Sequence, residues 1–323
     1  MKQHITRAYN KFDIDAQRGI LTKISEESRL KDEIDYYDSI QGRKAAIWFP
    51  RFLGGGPVGT NQYSLNLEYY AYKNLGDLMI YNKFDKELWL KIIDRITLSL
   101  ADFGIKDNSI IDGSRIQREM YIEKTLKYYY ELVGKFPKFR SIANHFTLSI
   151  NGKEYMNFDS IWPDIEKEIE KIIAFGYTPS MIHGDMCFSN ILFGEAKTGD
   201  VILKYVDPRG SFGAKGVYGD PLYDVAKLRH SFEGGYEYII YDHFNLKEDD
   251  NLQEFEFNFR DDNREEISKL FNEDLILGTP VAKLIEGLIF IGMCSRHYDS
   301  LDRQTVMYLT GIKILNEALE ELK

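Results

Sequence analysis

The chain has 323 residues, of which 44% are hydrophobic and 28% are charged, as is ordinary for a folded protein with a sizeable core. Its formal net charge of −10 argues against a broad nucleic-acid surface, because phosphate contacts require clustered lysine and arginine. The two cysteines, Cys187 and Cys294, are too few and too far apart for a disulfide framework or a zinc site.

The first residues are polar and lack the apolar segment of a secretory signal. The most apolar stretch, residues 281–293, contains Lys283 and Glu286 and is too short to cross a bilayer. We therefore expect a cytoplasmic protein without a membrane span.

The first 75 residues are predicted to be rich in strands, with one amphipathic helix. Short apolar runs, a Ser- and Glu-rich helix start and a glycine-rich loop signal support this prediction. In chain order we predict a strand at 19–24, a helix at 25–37, a strand at 45–49, a loop at 54–57, a strand at 63–69 and a connector near 68–77.

From about residue 85 the apolar spacing becomes mainly helical. An Asn151-Gly152 turn between two alternating runs predicts a β-hairpin within this part. In chain order we predict helices at 88–103 and 116–130, the hairpin at 146–158, a helix at 161–175, strands near 181–182, 191–193 and 201–206, a helix from 221, an aromatic segment at 236–244, a strand at 254–259 and helices at 279–299 and 303–322. The chain is thus predicted to be α+β, with a small lobe at 1–75 and a larger, mainly helical lobe at 76–323.

The sequence HGDMCFSN at residues 183–190 is the most informative segment, because it places polar residues between two short strands. Asp185, Asn190 and, after the next strand, Asp207 are the set that phosphoryl transfer from a magnesium-bound nucleotide needs. One Asp orients the attacking hydroxyl and accepts its proton, while the Asn and the second Asp hold the metal. The alternative is a polar hairpin whose residues only make turns. Cys187 has no evident base nearby, so we expect a passive thiol.

A nucleotide site also needs a cation for the phosphates. Lys23 is a lone cation on an apolar strand, and Glu33 on the following helix could fix its side chain. The alternative is an exposed strand lysine and a solvated glutamate, but the order of the downstream trio favours the ion pair. Glu68 and Tyr70 lie where the small lobe ends, and the backbone there could contact an adenine ring.

The pattern HGDxxxxN at residues 183–190, followed by the VD pair at 206–207, resembles the aminoglycoside phosphotransferase and choline kinase superfamily. This superfamily is the small-molecule branch of the protein-kinase-like fold. The sequence GDPLYDVA at residues 219–226 is also similar to the family pattern after the metal aspartate. Weaker correspondences, which extend the resemblance over most of the chain, lie at Lys23, Glu33 and Glu68.

The resemblance implies ATP- and Mg²⁺-dependent phosphorylation of a hydroxyl on a small molecule, in a two-lobed kinase-like fold. It also implies a role for each matched position. These are Asp185 as catalytic base, Asn190 and Asp207 as magnesium ligands, Lys23 as phosphate contact with Glu33 as its partner, Glu68 and Tyr70 as adenine contacts through the backbone, and His183 and Asp224 as structural supports of the catalytic loop.

The N-terminus departs from the family pattern. The family places a strand and a Gly- or Ser-containing loop before the lysine strand, whereas only 22 residues precede Lys23 and residues 6–10 contain no glycine. We expect the first strand to be short, absent or supplied by a preceding domain of a longer protein. The missing glycine loop also keeps open a non-catalytic nucleotide-binding protein as an alternative.

The residues after Asp207 depart from the pattern as well, because Pro208, Arg209 and Gly210 replace a Phe-Gly pair. Arg209 places a cation next to the predicted metal ligand, so we include it with Asp185 as a catalytic candidate. It could stabilise the transferring phosphate, hold an anionic substrate or form a structural salt bridge.

Arg296 and His297 are the candidate acceptor contacts, at the end of a late helix. The polar residues around them favour a sugar or sugar-like metabolite, in a role such as glycan synthesis. Choline or ethanolamine would favour an aromatic cage with carboxylates, and an aminoglycoside is a further alternative. Metal-dependent hydrolysis would need a denser ligand cluster than the six histidines supply.

Overall fold

The computed structural model describes residues 11–104, 113–260, 263–274 and 279–323. Its first part is an antiparallel sheet with a helix packed on one face. In chain order the elements are strands β1 (Lys11–Asp15) and β2 (Ile20–Glu26), helix α1 (Glu27–Ser39), a 3-10 helix (Lys44–Trp48), and strands β3 (Phe52–Gly59) and β4 (Gln62–Glu68). The strands lie side by side in the order β1, β2, β4, β3, and α1 packs against β2, β3 and β4.

A strand, β1, thus precedes the Lys23 strand and pairs with it in antiparallel register. Residues 6–10, where the glycine of the family loop is missing from the sequence, lie outside the described residues.

Residues 54–57 lie inside β3, so the prediction of a loop there is wrong. The glycines allow α1 to approach the sheet closely. A Cβ atom added to Gly55 would lie 3.0 Å from the carbonyl oxygen of Ser64 and 3.1 Å from the side chain of Ile34. Glycine therefore marks a close packing contact in a strand here instead of a turn.

Residues 45–49 do not form the predicted strand but lie almost entirely in the 3-10 helix. Ala45 and Trp48 are both buried, and their separation of three residues matches one turn of such a helix. The Nε1–H of Trp48 donates to the Oδ2 of Asp102 over 2.8 Å. The prediction failed because a run of five mostly apolar residues has no period that separates strand from helix.

The remainder of the described chain is mainly helical. In chain order its elements are β5 (Lys73–Asn74), α2 (Leu75–Tyr81), α3 (Lys86–Phe103), α4 (Gly113–Gln117), a π-helical stretch (Arg118–Glu123), α5 (Lys124–Lys135), α6 (Pro137–Ala143), β6 (Thr147–Ile150), β7 (Lys153–Met156), α7 (Phe158–Phe175), β8 (Ser180–Met181), a 3-10 turn (Phe188–Asn190), β9 (Ile191–Glu195), β10 (Val201–Tyr205), β11 (Tyr218–Gly219), α8 (Pro221–Phe232), α9 (Tyr236–Ile240), β12 (Phe244–Glu248), β13 (Glu254–Phe259), α10 (Arg264–Asp274), α11 (Pro280–Cys294) and α12 (Leu301–Leu322).

The predicted hairpin at 146–158 is confirmed as β6 and β7, and the late helices are confirmed as α11, which is shorter than predicted, and α12, which begins two residues earlier than predicted. Helices α2 and α10 were not predicted. Strands β10, β9 and β5 form one sheet, and α11 packs against α12, α8 and α5. The sheet of β5, β9 and β10 faces these helices. At this point the loop between β8 and β9 meets the residues that follow β10.

Two hydrophobic clusters hold the described residues together. One joins α1, α3 and the strands β4, β9 and β10, and the other joins α5, α7, α11 and α12. The segment 183–190 contributes side chains to both clusters, so its backbone is fixed from two sides. No helix in the described part of the chain is both long and apolar enough to cross a membrane.

Candidate active site

Residues 183–190 form the loop between β8 and β9, and apolar side chains anchor its centre. Phe188 is fully buried, and its backbone N–H donates to the Oγ of Ser231 over 2.9 Å. Asp185 and Asn190 flank this buried segment and are partly exposed. Because the centre of the loop is buried and its two ends are partly exposed, both polar side chains lie at the surface of the loop.

Asp224 on α8 fixes the start of the loop. Its Oδ2 accepts the backbone N–H of His183 over 2.6 Å, and its Oδ1 accepts that of Gly184 over 2.8 Å. Gly184 has a φ of 79°, and a Cβ atom there would lie 2.8 Å from the Cβ of Arg209. The Arg209 N–H in turn donates to the carbonyl of His183 over 2.9 Å, so the loop and the segment after β10 are joined directly.

The ring of His183 is buried and bonded at both nitrogens. Its Nε2 lies 2.9 Å from the carbonyl oxygen of Val206, and its Nδ1 lies 3.2 Å from the backbone N–H of Asp185. Because a carbonyl only accepts, Nε2 carries the proton and Nδ1 accepts from Asp185. Burial lowers the pKa of His183 to about 4, so the ring is neutral near pH 7.

Asp185 forms an ion pair with a residue that the sequence analysis did not identify. Its Oδ1 lies 2.8 Å from the Nζ of Lys227 on α8, whose side chain is only 3% exposed. Burial acts to raise the pKa of Asp185, but Lys227 and then Arg209 lower it well below its usual range. A signal was present, because Lys227 lies three residues after Asp224 in a largely apolar helix.

Lys23 lies between two carboxylates. Its Nζ is 2.7 Å from the Oε2 of Glu33 on α1 and 2.6 Å from the Oδ1 of Asp207. Burial alone would lower the pKa of Lys23, but Asp207 and Glu33 raise it above its ordinary value. Burial raises the pKa of Glu33 to about 7, although Lys23 acts in the opposite direction. The structure thus brings together three of the residues singled out in the sequence.

Asp207 follows β10 with a φ of 57°, in the left-handed region that non-glycine residues rarely adopt. Burial acts to raise the pKa of its carboxyl, and Lys23 lowers it below the usual range. Such strained backbone persists where the surrounding structure fixes it, and it often marks a functional residue.

Asn190 and Asp207 are suitable ligands for Mg²⁺. The Nδ2 of Asn190 donates to the carbonyl of Asp185 over 2.9 Å. The Oδ1 of Asn190 accepts no hydrogen bond from the described residues and is therefore available to a metal ion. A carboxylate and an amide oxygen match the hard oxygen ligands of Mg²⁺, which takes its other ligands from phosphates and water. Within residues 11–104, 113–260, 263–274 and 279–323, no three His, Cys, Asp or Glu side chains cluster as a metal site.

Glu68 and Tyr70 lie at the end of β4 and in the connector that follows. The hydroxyl of Tyr70 donates to the Oε2 of Glu68 over 3.0 Å, and its ring lies 5.3 Å from the Nζ of Lys204. Their side chains are thus occupied with neighbours.

Arg209 donates from Nη1 to the hydroxyl of Tyr223 over 3.1 Å. No carboxylate in the part of the chain that the structure describes lies within 4.0 Å of its guanidinium nitrogens, so the structural salt bridge considered from the sequence is not seen there. Asp185 is nevertheless close enough to raise the pKa of Arg209.

Arg296 and His297 follow the C-terminus of α11. The guanidinium of Arg296 donates to the hydroxyl of Tyr128 on α5 and lies 4.6 Å from its ring centre. The ring of His297 lies edge-on to Tyr236, with 6.0 Å between the centroids.

Lys124 on α5 is a second residue that the sequence analysis missed. Burial lowers the pKa of Lys124 well below its ordinary value, and the nearby cations Arg209, Arg296 and Lys227 lower it further. Asp185 acts in the opposite direction. Lys124 therefore lies among the groups around Asp185, although its spacing in the sequence is that of an ordinary helix lysine.

Cys187 lies within the loop but has the properties of a passive side chain. Its Sγ is 3.1 Å from the Oγ of Ser189, and burial raises the pKa of the thiol well above its ordinary value. A thiol nucleophile requires the opposite shift.

The strand-rich first part, the helical remainder and the polar loop after β8 together define a protein-kinase-like α+β fold. No family model matches the chain, and no curated protein matches it. Solved structures do match. The apo form of a thermostable mutant of aminoglycoside phosphotransferase APH(4)-Ia has a TM-score of 0.59 at 12% identity, covering 94% of this chain and 89% of that chain.

Two further structures support the same fold. A ternary complex of an APH(4)-Ia mutant with AMP-PNP and hygromycin B has a TM-score of 0.59 at 11% identity, covering 97% of this chain and 92% of that chain. The GDP and kanamycin complex of APH(2")-IIia has a TM-score of 0.54 at 12% identity, covering 97% and 90%. The predicted fold is therefore confirmed as that of the aminoglycoside phosphotransferases; at this identity the likeness concerns the fold.

Proposed function

We propose that the protein is an ATP- and Mg²⁺-dependent phosphotransferase that phosphorylates a hydroxyl of a small molecule, with a sugar or sugar-like metabolite as the first candidate acceptor. One observation carries this proposal. Lys23 bonds to both Glu33 and Asp207, and Asn190 bonds to the backbone of Asp185. The ring of His183 joins the two groups, because it bonds to the backbone next to Asp207 and to that of Asp185. The proposed cation, metal ligands and base therefore belong to one site, in the order along the chain that phosphoryl transfer needs.

Each residue of the nucleotide side has a role in this proposal. Lys23, held by Glu33, contacts the phosphates, and the backbone near Glu68 and Tyr70 contacts the adenine between the lobes at 1–75 and 76–323. Asn190 and Asp207 would hold Mg²⁺, which neutralises charge on the phosphates when bound.

Asp185 orients the acceptor hydroxyl and takes its proton. The hydroxyl oxygen forms a bond to the γ-phosphorus, the bond from that phosphorus to the β–γ bridging oxygen breaks, and ADP leaves. His183 and Asp224 hold the loop so that the carboxylate of Asp185 faces the acceptor, and Arg209 is placed to stabilise charge on the transferring group.

The matching structures support a nucleotide-dependent reaction on a small molecule. Their complexes contain AMP-PNP with hygromycin B, and GDP with kanamycin, which are nucleotides with polyhydroxylated small molecules. An aminoglycoside acceptor is therefore the second candidate. A non-catalytic protein that binds nucleotide would retain the lysine and metal ligands, but would not need an ionised Asp185.

The test combines purified protein with Mg·ATP and a panel of sugars, amino alcohols and aminoglycosides, with detection of ADP and of the phosphorylated product. Asp185→Ala should lower kcat by about 10³-fold, which lies within the usual contribution of a general base. The Kd for Mg·ATP should stay within twofold of the wild-type value, since Asp185 faces the acceptor.

The matched control is Asp200→Ala, because Asp200 lies in the exposed turn between β9 and β10 and bonds to Thr198. It should retain wild-type kcat. Unchanged turnover in Asp185→Ala would remove its assigned role. Tight Mg·ATP binding without transfer to any compound would instead support the non-catalytic alternative.

A further inference from the structure

Four cations lie near one another on the side of Asp185 that we propose faces the acceptor, since three of them and Asp185 all act on the charge of the fourth, Lys124. They come from four different segments. Asp185 is the only carboxylate among the described residues within ion-pair distance of any of them, and it pairs with one. The set, which we call the basic wall, consists of Lys124 on α5, Arg209 after β10, Lys227 on α8 and Arg296 after α11.

Neutral side chains, not carboxylates, hold the other three cations of the basic wall. Arg209 bonds to the hydroxyl of Tyr223, and Arg296 bonds to that of Tyr128. The Nζ of Lys124 has only the sulfur of Met120, at 3.9 Å, as a hydrogen-bond partner. Asp185 also acts on the charges of Lys124 and Arg209, but it pairs only with Lys227, so the four cations outnumber the carboxylates within ion-pair distance.

Helix packing gathers these residues into one place. Tyr223 and Lys227 lie one turn apart on α8, and Lys124 and Tyr128 lie one turn apart on α5. Both helices pack against α11. The Nζ of Lys227 lies 3.6 Å from the sulfur of Met293 on α11, so the helix that precedes Arg296 forms the shared support.

The arrangement is unfavourable in the free protein, because like charges are held near one another and partly away from water. The effect on Lys124 is consistent with this, since the three other cations all lower its pKa. The chain has ten more acidic than basic residues, so the lack of carboxylate partners for Lys124, Arg209 and Arg296 is not a consequence of composition. A ligand that brings negative charge would relieve the repulsion.

We propose that the acceptor carries an anionic group, a carboxylate or a phosphate, which Lys124, Arg209 and Arg296 bind while its hydroxyl lies at Asp185. This inference rests on the proposed function and specifies its substrate class. Lys227 pairs with Asp185 and keeps it ionised beside the other cations. A choline-like or aminoglycoside acceptor would place its positive charge against the basic wall, so this charge distribution argues against the aminoglycoside that is named above as the second candidate acceptor.

The test compares matched compounds that differ only in charge. Hexoses, pentoses, polyols and three-carbon hydroxy compounds are each tested as the neutral, carboxylated, phosphorylated and amino forms. Calorimetry measures their binding to the protein saturated with Mg·AMP-PNP, and turnover is then measured with Mg·ATP. At least one carboxylated or phosphorylated form should bind tenfold or more tightly than its neutral form, and the better of the two identifies the anionic group.

Variants link this preference to the basic wall. Lys124→Met and Arg296→Gln should each weaken binding of the anionic compound at least tenfold and leave the Kd for Mg·ATP within twofold. Lys135→Met is the matched control, because Lys135 is an exposed lysine on the same helix that pairs with Glu131. It should bind like the wild type.

The inference is overturned if no anionic compound binds, if neutral or amino forms bind more tightly, or if Lys124→Met and Arg296→Gln bind the anion as the wild type does. The proposed function fails separately. An anionic compound that binds through these residues but receives no phosphate would leave the site standing without the activity. If the wild type, Lys124→Met and Arg296→Gln all phosphorylate a neutral sugar equally well, the proposed function stands and the anionic acceptor is overturned.

Discussion

The two halves of the candidate site, which we propose bind the nucleotide and the acceptor, differ in how their charges are balanced. We call them the nucleotide half and the acceptor half. In the nucleotide half, which comprises Lys23, Glu33, Asn190 and Asp207, the one lysine bonds to two carboxylates within 2.7 Å. In the acceptor half, which is the basic wall defined above, only one of the four cations, Lys227, forms an ion pair, and its partner is Asp185.

The two halves therefore differ in whether their charges are balanced before a ligand binds. A buried ion pair with good geometry is retained because removing one partner leaves an uncompensated charge. Cations held together without anions lower stability, and such strain is tolerated where function needs it. The nucleotide half is therefore organised in advance, whereas the acceptor half depends on its ligand for charge balance.

The comparison can be tested most strongly at Lys23. Lys23→Met should lower the free energy of unfolding by about 3–5 kcal/mol, because it leaves Glu33 buried beside Asp207 without a cation. Urea unfolding measures the change. The loss should be greater at pH 8 than at pH 5.5, since the pKa of Glu33 is about 7 with Lys23 present and the protonated form needs no partner.

Lys11→Met is the control for this substitution, because Lys11 is an exposed residue of β1 in the same sheet. Its effect should stay within about 0.5 kcal/mol, as for most surface changes. Equal stability of Lys23→Met and the wild type would mean that the ion pairs contribute nothing, and the contrast between the two halves would then disappear.

His183 tests whether the two halves form one unit, since its ring bonds to the backbone next to Asp207 and to that of Asp185. Its pKa is about 4 in the folded protein and 6.5 as an ordinary value, so the unfolded chain binds the proton first. Wild-type stability should therefore fall as the pH drops from 6.5 towards 4, and this residue alone accounts for about 3 kcal/mol.

His183→Asn removes this contribution. The variant should be less stable than the wild type at pH 7.5, and the gap should narrow by about 3 kcal/mol by pH 4. Urea unfolding across this range measures the gap, and subtracting one curve from the other cancels the titration of groups that both proteins share. A gap independent of pH would show that His183 does not stay neutral in the fold.

The two halves also differ in how far the sequence predicts them. Asp185, Asn190 and Asp207 lie close together along the chain, in loops whose geometry follows from the adjoining strands. Their spacing along the chain therefore predicts that they lie together, and the resemblance to a known family implies a role for each of them. Lys23 and Glu33 are further away but lie on consecutive elements, so the strand–helix order was enough to suggest their pairing.

Two members of the basic wall, Arg209 and Arg296, are candidates from the sequence, but their meeting with Lys124 and Lys227 could not be predicted in the same way. Lys124, Lys227 and Arg296 lie on or next to three helices whose mutual packing decides that they meet, and a sequence pattern does not specify that packing. Lys124 in particular follows a π-helical stretch, Arg118–Glu123, where the helical period changes. A prediction that assumes regular helical spacing assigns such a residue to the wrong face.

The smallest effect we expect has the opposite sign to that at Lys23. Lys124→Met should raise the free energy of unfolding of the ligand-free protein by about 1 kcal/mol, because it removes a partly buried cation that has no carboxylate partner. Lys135→Met, on the exposed side of the same helix, removes one member of a surface ion pair with Glu131 and should change stability by less.

Thermal and urea unfolding of these variants measure the difference in the free energy of unfolding. Because the same substitution is made at Lys23 and at Lys124, a difference between their effects comes from the surroundings of each lysine and not from the change of side chain. Adding the anionic compound that binds the wild type most tightly should reverse the order, because only the wild type then gains the contact with Lys124. If Lys124→Met destabilises the ligand-free protein, Lys124 is already compensated there, and the acceptor half would be as balanced as the nucleotide half.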